Sequence, residues 1–223
     1  MTLSRIGLVF LALALLAAGC GGGSSTGNGE AGKSGVQVFN DAKSAAAGAT
    51  SVHIAGTFED AGKNITLDLV LGAVAAKGFM AQDTARADLA RVGNTAYMRA
   101  SADFWRTFAN AAAAQLLHDK WLKGSAKKQP FVAFAQFMSI DALVSDAFKG
   151  HGTLTNLGER AYKGQKVVAI RDAKDGSIFY VAATGTPYPV AASGGGSVSF
   201  TDWNKQVSIT APSGAVDIHT LGG

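Results

Sequence analysis

Ser51-Val52-His53-Ile54-Ala55-Gly56-Thr57-Phe58 is followed by Glu59-Asp60-Ala61-Gly62-Lys63 and then by Asn64-Ile65-Thr66-Leu67-Asp68-Leu69-Val70-Leu71. On both sides of the short polar break, apolar residues recur at every second position. Side chains of a β-strand point alternately to opposite faces, so this pattern marks two half-buried strands joined by a loop. It predicts an antiparallel hairpin with Val52, Ile54, Phe58, Ile65, Leu67, Leu69 and Leu71 on one face. Further short strands are expected at 76–82, 85–92 and 95–100, separated by turns at Asp83-Thr84 and Gly93-Asn94. Strands this close in sequence pair with their neighbours and form a meander.

Past residue 100 the period changes. Phe104, Phe108, Ala112 and Leu116 share one face of an expected helix, with Trp105 beside them, and Asp119-Lys120-Trp121-Leu122 returns the chain to an extended form. Pro130 suits the first turn of a second helix, in which Phe131, Phe134, Ala135 and Met138 fall at i, i+3, i+4 and i+7. Ser139 can cap a third, carrying Ile140, Leu143, Val144 and Ala147 and closed by Lys149 and Gly150. Phe131, Phe134, Phe137, Met138 and Phe148 are more large apolar groups than one buried stripe requires. They fit either a packed core under the sheet or a ligand-facing surface, since methionine and flat rings adapt to acyl chains.

After Gly150 the period of two returns, at 153–160, 166–172, 177–183, 189–192, 196–201 and 207–210. Pro187 and Pro189 belong at a strand entry or edge, and glycine-rich strand ends permit the bends of a curved sheet.

The start of the chain reads differently. Arg5 precedes an apolar run from Ile6 to Ala18, which has the form of a secretory signal and is too short to span a bilayer core of about 30 Å. Leu16-Ala17-Ala18-Gly19-Cys20 resembles a bacterial lipobox, and Cys20 is the only cysteine of the chain. The resemblance implies a signal peptide at 1–19, diacylglyceryl attachment to the Cys20 thiol, and a mature chain starting there. One buried acyl chain binds a membrane marginally, whereas two anchor it stably. Residues 20–35, rich in Gly and Ser, are expected as a flexible tether and 36–223 as one domain. A first helix is expected at 36–47, ending at Gly48.

An acylated cysteine, a tether, a helix, a meander, an apolar helical insert and a second meander form the layout of the LppX/LprG-type (LolA-like) lipoproteins. The likeness is carried by Gly93-Asn94-Thr95-Ala96-Tyr97-Met98, Phe104-Trp105, Lys120-Trp121-Leu122, Tyr162-Lys163-Gly164-Gln165-Lys166-Val167-Val168, Phe179-Tyr180-Val181, Gly185-Thr186-Pro187-Tyr188-Pro189, Phe200-Thr201-Asp202-Trp203 and Ile209-Thr210-Ala211-Pro212. The resemblance implies an α+β fold: a strongly curved antiparallel half-barrel sheet, with helices packed on its concave face and an apolar cavity between. Some members carry acylated glycolipids or lipoproteins across the periplasm. A lipid or glycolipid ligand is therefore expected, lined by Leu67, Leu69, Leu71, Phe131, Phe134, Phe137, Met138 and Leu143. The alternative is a structural or interaction module with a filled core that contacts other envelope proteins. Either would sit on the extracytoplasmic face of the cell membrane, as a monomer.

Little else in the sequence points to chemistry. The four histidines, His53, His118, His151 and His219, are far apart and have no cysteine partners in metal-ligand spacing. Ser125-Ala126-Lys127-Lys128 has the Ser-x-x-Lys spacing of a serine hydrolase but lacks the companion motifs. Gly27-Asn28-Gly29-Glu30-Ala31-Gly32 has dinucleotide-fingerprint spacing without the preceding strand that such a site needs. With 20 basic and 16 acidic residues and no run of like charge, no nucleic-acid surface is expected. No enzyme activity, metal or cofactor is expected either.

Overall fold

The computed structural model describes residues 27–147 and 150–220. Helix α1 (Gly35–Ala47) opens with a capping box, in which the Gln37 N–H donates to Ser34 Oγ and the Ser34 N–H donates to Gln37 Oε1. This satisfies two of the donors that a helix start leaves free. A meander of five strands follows: β1 (Ser51–Asp60), β2 (Lys63–Gly72), β3 (Ala75–Gln82), β4 (Ala85–Val92) and β5 (Thr95–Ala100). The helical insert comprises α2 (Ala102–Phe108) and α3 (Ala111–Leu117), then strand β6 (Leu122–Ser125), then α4 (Phe131–Phe137) and α5 (Ile140–Ala147). A second meander, β7 (Leu154–Tyr162), β8 (Gln165–Asp172), β9 (Ile178–Ala182), β10 (Pro189–Ser193) and β11 (Gly196–Thr201), leads to the short β12 (Val216–Asp217).

The described residues form one twelve-stranded sheet, in the order β12-β6-β5-β4-β3-β2-β1-β11-β10-β9-β8-β7. Every pairing is antiparallel except β12 with β6. The two meanders are joined where β1 pairs with β11, and β7 and β12 remain as edges, so the sheet is an open half-barrel. In the first hairpin Val52 faces Leu71, Ile54 faces Leu69, and Phe58 faces Ile65. These cross-strand pairs put the alternating apolar set on a single face, which is the unit of sheet stabilisation. That face carries the larger core, with α2, α3, α4 and α5 laid against it. Helix α1 covers the other half through a smaller core of Val38, Phe39, Ala42, Leu154, Val168, Ile170 and Val181.

The sheet bends at glycines in the middle of strands, rather than only at strand ends. Gly56 faces Leu67 of β2, and Gly78 faces Leu69 of the same strand from the other side. A Cβ on Gly56 would lie 2.1 Å from the Ser197 carbonyl oxygen, and one on Gly78 would lie 2.0 Å from the Asp68 carbonyl oxygen. Neighbouring backbone therefore occupies the space of a side chain, and a crease crosses β11, β1, β2 and β3 at the level of Leu67 and Leu69.

Three expectations need correction. The helix expected through Phe104 and Leu116 is two helices, because Asn110 leaves the helical conformation and its Oδ1 accepts the Ala113 N–H to start α3. Phe104 is thereby buried, while Phe108 and Leu116 are exposed. Residues 207–210 are not a strand, since β1, the strand beside which this segment starts, is already paired on both sides. Left-handed residues Asp202 and Asn204 turn the chain out of the sheet, and residues 205–215 cross the face opposite the helices as a strap. The strap is fastened at one end by the Asn204 N–H to the Ser51 carbonyl, and at the other by the Val216 N–H to the Trp121 carbonyl.

The third concerns the Gly/Ser stretch, whose described part is held rather than free. Asn28 donates its backbone N–H to Ala183 O, and its Nδ2 donates to the carbonyls of Ala182 and Gly185. Asn156 Nδ2 donates to Lys33 O at 2.7 Å. Between them, Glu30–Gly32 forms a 3-10 turn, and Lys33 Nζ bridges Asp41 and Glu30 at 2.7 Å each, which raises its pKa. Cys20 and Phe148 lie outside the described residues.

Candidate functional site

Two apolar cavities lie between the creased sheet and the helical insert. The first, about 450 Å³, is walled by β3, β4 and β5 on one side and by α2, α3 and α4 on the other. The second, about 390 Å³, lies over β1, β2, β10 and β11, closed by Ile140 and Leu143 of α5 and Ala46 of α1. Phe137, the last residue of α4, belongs to both walls and is 40% exposed. Each volume lies within the roughly 300–1,000 Å³ typical of small-molecule sites.

The sequence order explains how the cavities arise. Gly56 and Gly78 bend the sheet beneath Leu67 and Leu69, while α2, α4 and α5 are too short to cover the hollow fully, at 7, 7 and 8 residues. Phe104 sets the roof of the first cavity, with its ring 4.8 Å from that of Phe108 and 6.3 Å from that of Phe134. Trp203 sets one wall of the second, stacked 4.8 Å from Tyr188, with its Nε1–H donated to the Pro189 carbonyl.

Of the residues expected to line a cavity, Leu67, Leu69 and Leu143 face the second, Phe134 faces the first, and Phe137 faces both. Leu71, Phe131 and Met138 are not in either wall. Leu71 is 0% exposed opposite Val52, away from the crease. Phe131 is 1% exposed because Gly124 of β6 admits its ring: a Cβ there would come within 2.6 Å of Phe131 Cδ2. Met138 is buried in the turn between α4 and α5, where its carbonyl accepts from Arg91 Nε at 3.1 Å. Burial lowers the pKa of the Arg91 guanidinium.

Sequence reasoning missed Met80, Phe104, Trp105, Val198, Phe200 and Trp203 as wall residues. A signal for Val198 and Phe200 was present in β11, whose alternation continues that of β1: Val198 pairs with Gly56 and Phe200 with Ile54.

Neither cavity is lined by a titratable side chain, so the site has no acid, base or nucleophile to offer. The histidines lie elsewhere. His53 bonds Asp68 at 2.9 Å on the opposite face of the sheet, His118 pairs with Asp119, and the His151 ring packs on Phe39. Ser125 ends a strand, and its Oγ accepts from the Lys127 N–H, so the Ser-x-x-Lys spacing does not fall on a helical turn. Among the described residues, no three His, Cys, Asp or Glu side chains could hold a metal, and no helix is long and apolar enough to cross a membrane.

Compared with known proteins, the sequence matches no family model and no curated protein. Solved structures do match. LprF from Mycobacterium bovis aligns with a TM-score of 0.50 at 15% identity, over 85% of this chain and 100% of that one. The lipoprotein LppX from Mycobacterium tuberculosis aligns at 0.49 and 18% identity, over 78% of this chain and 97% of that one. The chain thus has the fold of LprF, in line with the LppX/LprG-type layout read from the sequence.

Proposed function

We propose that this LprF-like half-barrel is a membrane-anchored, extracytoplasmic, non-catalytic lipoprotein that shelters the acyl chains of a lipid or glycolipid between its sheet and its helical insert. The observation that carries the reading is the pair of adjoining cavities, about 450 and 390 Å³, whose walls are apolar and share Phe137. Hydrocarbon in such a site gains about 0.8 kcal/mol per buried CH₂ without any polar recognition. A packed interaction module would have filled this space, since protein interiors reach crystal-like density.

Native mass spectrometry of the protein, purified from a bacterium rich in phospholipid, tests the reading. One or two added lipid masses, removable by solvent extraction, are expected. A protein that flies without lipid, and takes none up from vesicles, would leave the interaction module in its place.

Anchoring rests on Cys20 and on the ordered start of the domain. Because Asn28 is already clamped to Ala182 and Ala183, only residues 21–27 separate the acylated cysteine from that clamp, a reach of at most about 29 Å. The end of the sheet bearing the 182–185 turn then stays close to the membrane. Cys20→Ala is expected to release the folded domain into the soluble fraction. Retention of that variant on membranes after a high-salt wash would argue against the anchor.

A further inference from the structure

The antiparallel strands turn back at two ends of the half-barrel, and the two ends differ in charge. Ser51 pairs with Gly72, His53 with Thr201, Thr95 with Ser125, Tyr162 with Gln165, and Val167 with Ala182. This register brings the connections at 73–74, 93–94, 126–130, 163–164, 183–188 and 202–206 to one end. Their charged side chains are Lys127, Lys128, Lys163, Asp202 and Lys205, all exposed. Asp202 is paired with Lys205 at 2.6 Å, which leaves the other three lysines with no carboxylate among these connections to offset them. Among the described residues, the connections of the opposite end carry Asp83, Asp119 and Asp175 against Lys120 and Lys174. Val74, at the tip between β2 and β3, adds an apolar group to the basic end and is 74% exposed. The clamp of Asn28 on Ala182, Ala183 and Gly185 brings the start of the domain to this same end.

We infer that the basic end is a docking face for an anionic lipid surface, so that tether and lysines together hold the domain upright on the membrane. The inference rests on the anchored reading above. From Lys128 beyond β6 to Lys163 beside β8, the rim crosses nine strand spacings, about 43 Å along the curved sheet. A compact anion touches one or two of these lysines, whereas a flat leaflet meets them all, with Val74 entering its headgroup layer. Each lysine near an anionic surface raises the docked-to-free ratio about fivefold. That is too little to hold a free protein tightly, and enough to orient one that is already tethered.

A label on the rim tests this. In the acylated full chain, Val74→Cys introduces the one free thiol, since Cys20 is the only natural cysteine and its sulfur carries the lipid. The thiol is tagged with a fluorophore, the protein is reconstituted on vesicles of phosphatidylcholine, alone or with one third phosphatidylglycerol, and quenching by a headgroup-bound quencher is read. Flotation of the vesicles reads anchoring separately. At about 0.1 M salt the docked-to-free ratio should be at least about tenfold higher on the anionic vesicles. It should return to the neutral level at about 1 M, where the Debye length falls from about 10 to about 3 Å. Thr84→Cys, labelled at the opposite end, should stay unquenched on both, and Lys127→Glu with Lys128→Glu should remove the excess at position 74. Equal quenching on neutral and anionic vesicles would make the proximity a property of the tether alone and overturn the inference, while the anchor stands. An excess that survives the two glutamates, or that appears equally at position 84, would overturn it too. A chain that floats with neither vesicle would end the anchored reading and this inference with it.

Discussion

Gly78→Val is expected to abolish folding, or to lower stability by more than about 4 kcal/mol, although the residue sits in a strand where valine is ordinarily favoured. The new Cβ would lie 2.0 Å from the Asp68 carbonyl oxygen and 2.7 Å from Leu69 Cα, both backbone atoms of β2, so no side-chain rotation relieves the contact. The backbone at Gly78 has φ +156°, a value side-chain-bearing residues seldom adopt. Moving β2 away would open the crease and break the pairs on both sides of it. Typical domains have 5–15 kcal/mol in total, so little margin remains. Gly62→Ala is the control: it also has positive φ, at +77°, but a Cβ there meets nothing within 4 Å, and the cost should be about 1 kcal/mol. Urea unfolding of the two variants makes the comparison. A Gly78→Val midpoint close to that of Gly62→Ala would show that the crease is not what bends the sheet.

Phe134→Asp should have the largest effect on function, and Phe131 shows why position matters more than residue type. The two rings are three residues apart on α4, yet Phe134 faces the first cavity while Phe131 is 1% exposed against Gly124. A carboxylate at 134 lies where acyl chains are proposed to sit. An unpaired charge that a ligand would bury costs roughly 3–5 kcal/mol, so lipid retention should fall by about 100-fold or more. The far-ultraviolet circular dichroism should stay that of the wild type, because the empty cavity leaves the new side chain solvated. Phe131→Ala should do the reverse, losing about 3–5 kcal/mol of stability through the void it leaves. A Phe134→Asp protein that unfolds, or one that keeps its lipid, would each contradict the assignment of this ring to the cavity.

The strands were legible because burial on one face imposes a period of two. β4, β5 and β11 have the bounds expected for them, and the hairpin pairs the residues that the alternation had put on one face. The helical insert was less so. Stripes such as Phe131, Phe134 and Met138 say that a helix has an apolar face, and not whether that face meets a sheet or a gap. That distinction depends on Gly124, which lies just upstream but in a different element, the strand β6, and which lets Phe131 inward and leaves Phe134 at the void. The strap was misread for a related reason, since Val207 and Ile209 alternate like strand residues while the sheet has no free edge where they lie.

The strap has a mechanical consequence. From Asn204 to Val216 it runs over the back of the sheet, from beside β1 to the strand beyond β6. Six strand spacings make that path about 29 Å along the sheet and longer around its convex side, against at most about 40 Å of fully extended chain. A cord laid over the outside of a bent plate tightens when the plate curls and slackens when it flattens. The strap therefore resists tighter curling of the half-barrel and leaves widening unopposed. An empty hollow lined with leucine and phenylalanine tends to shut on itself, and a brace on the outside is where that tendency can be checked without placing a single polar group in the path of a ligand.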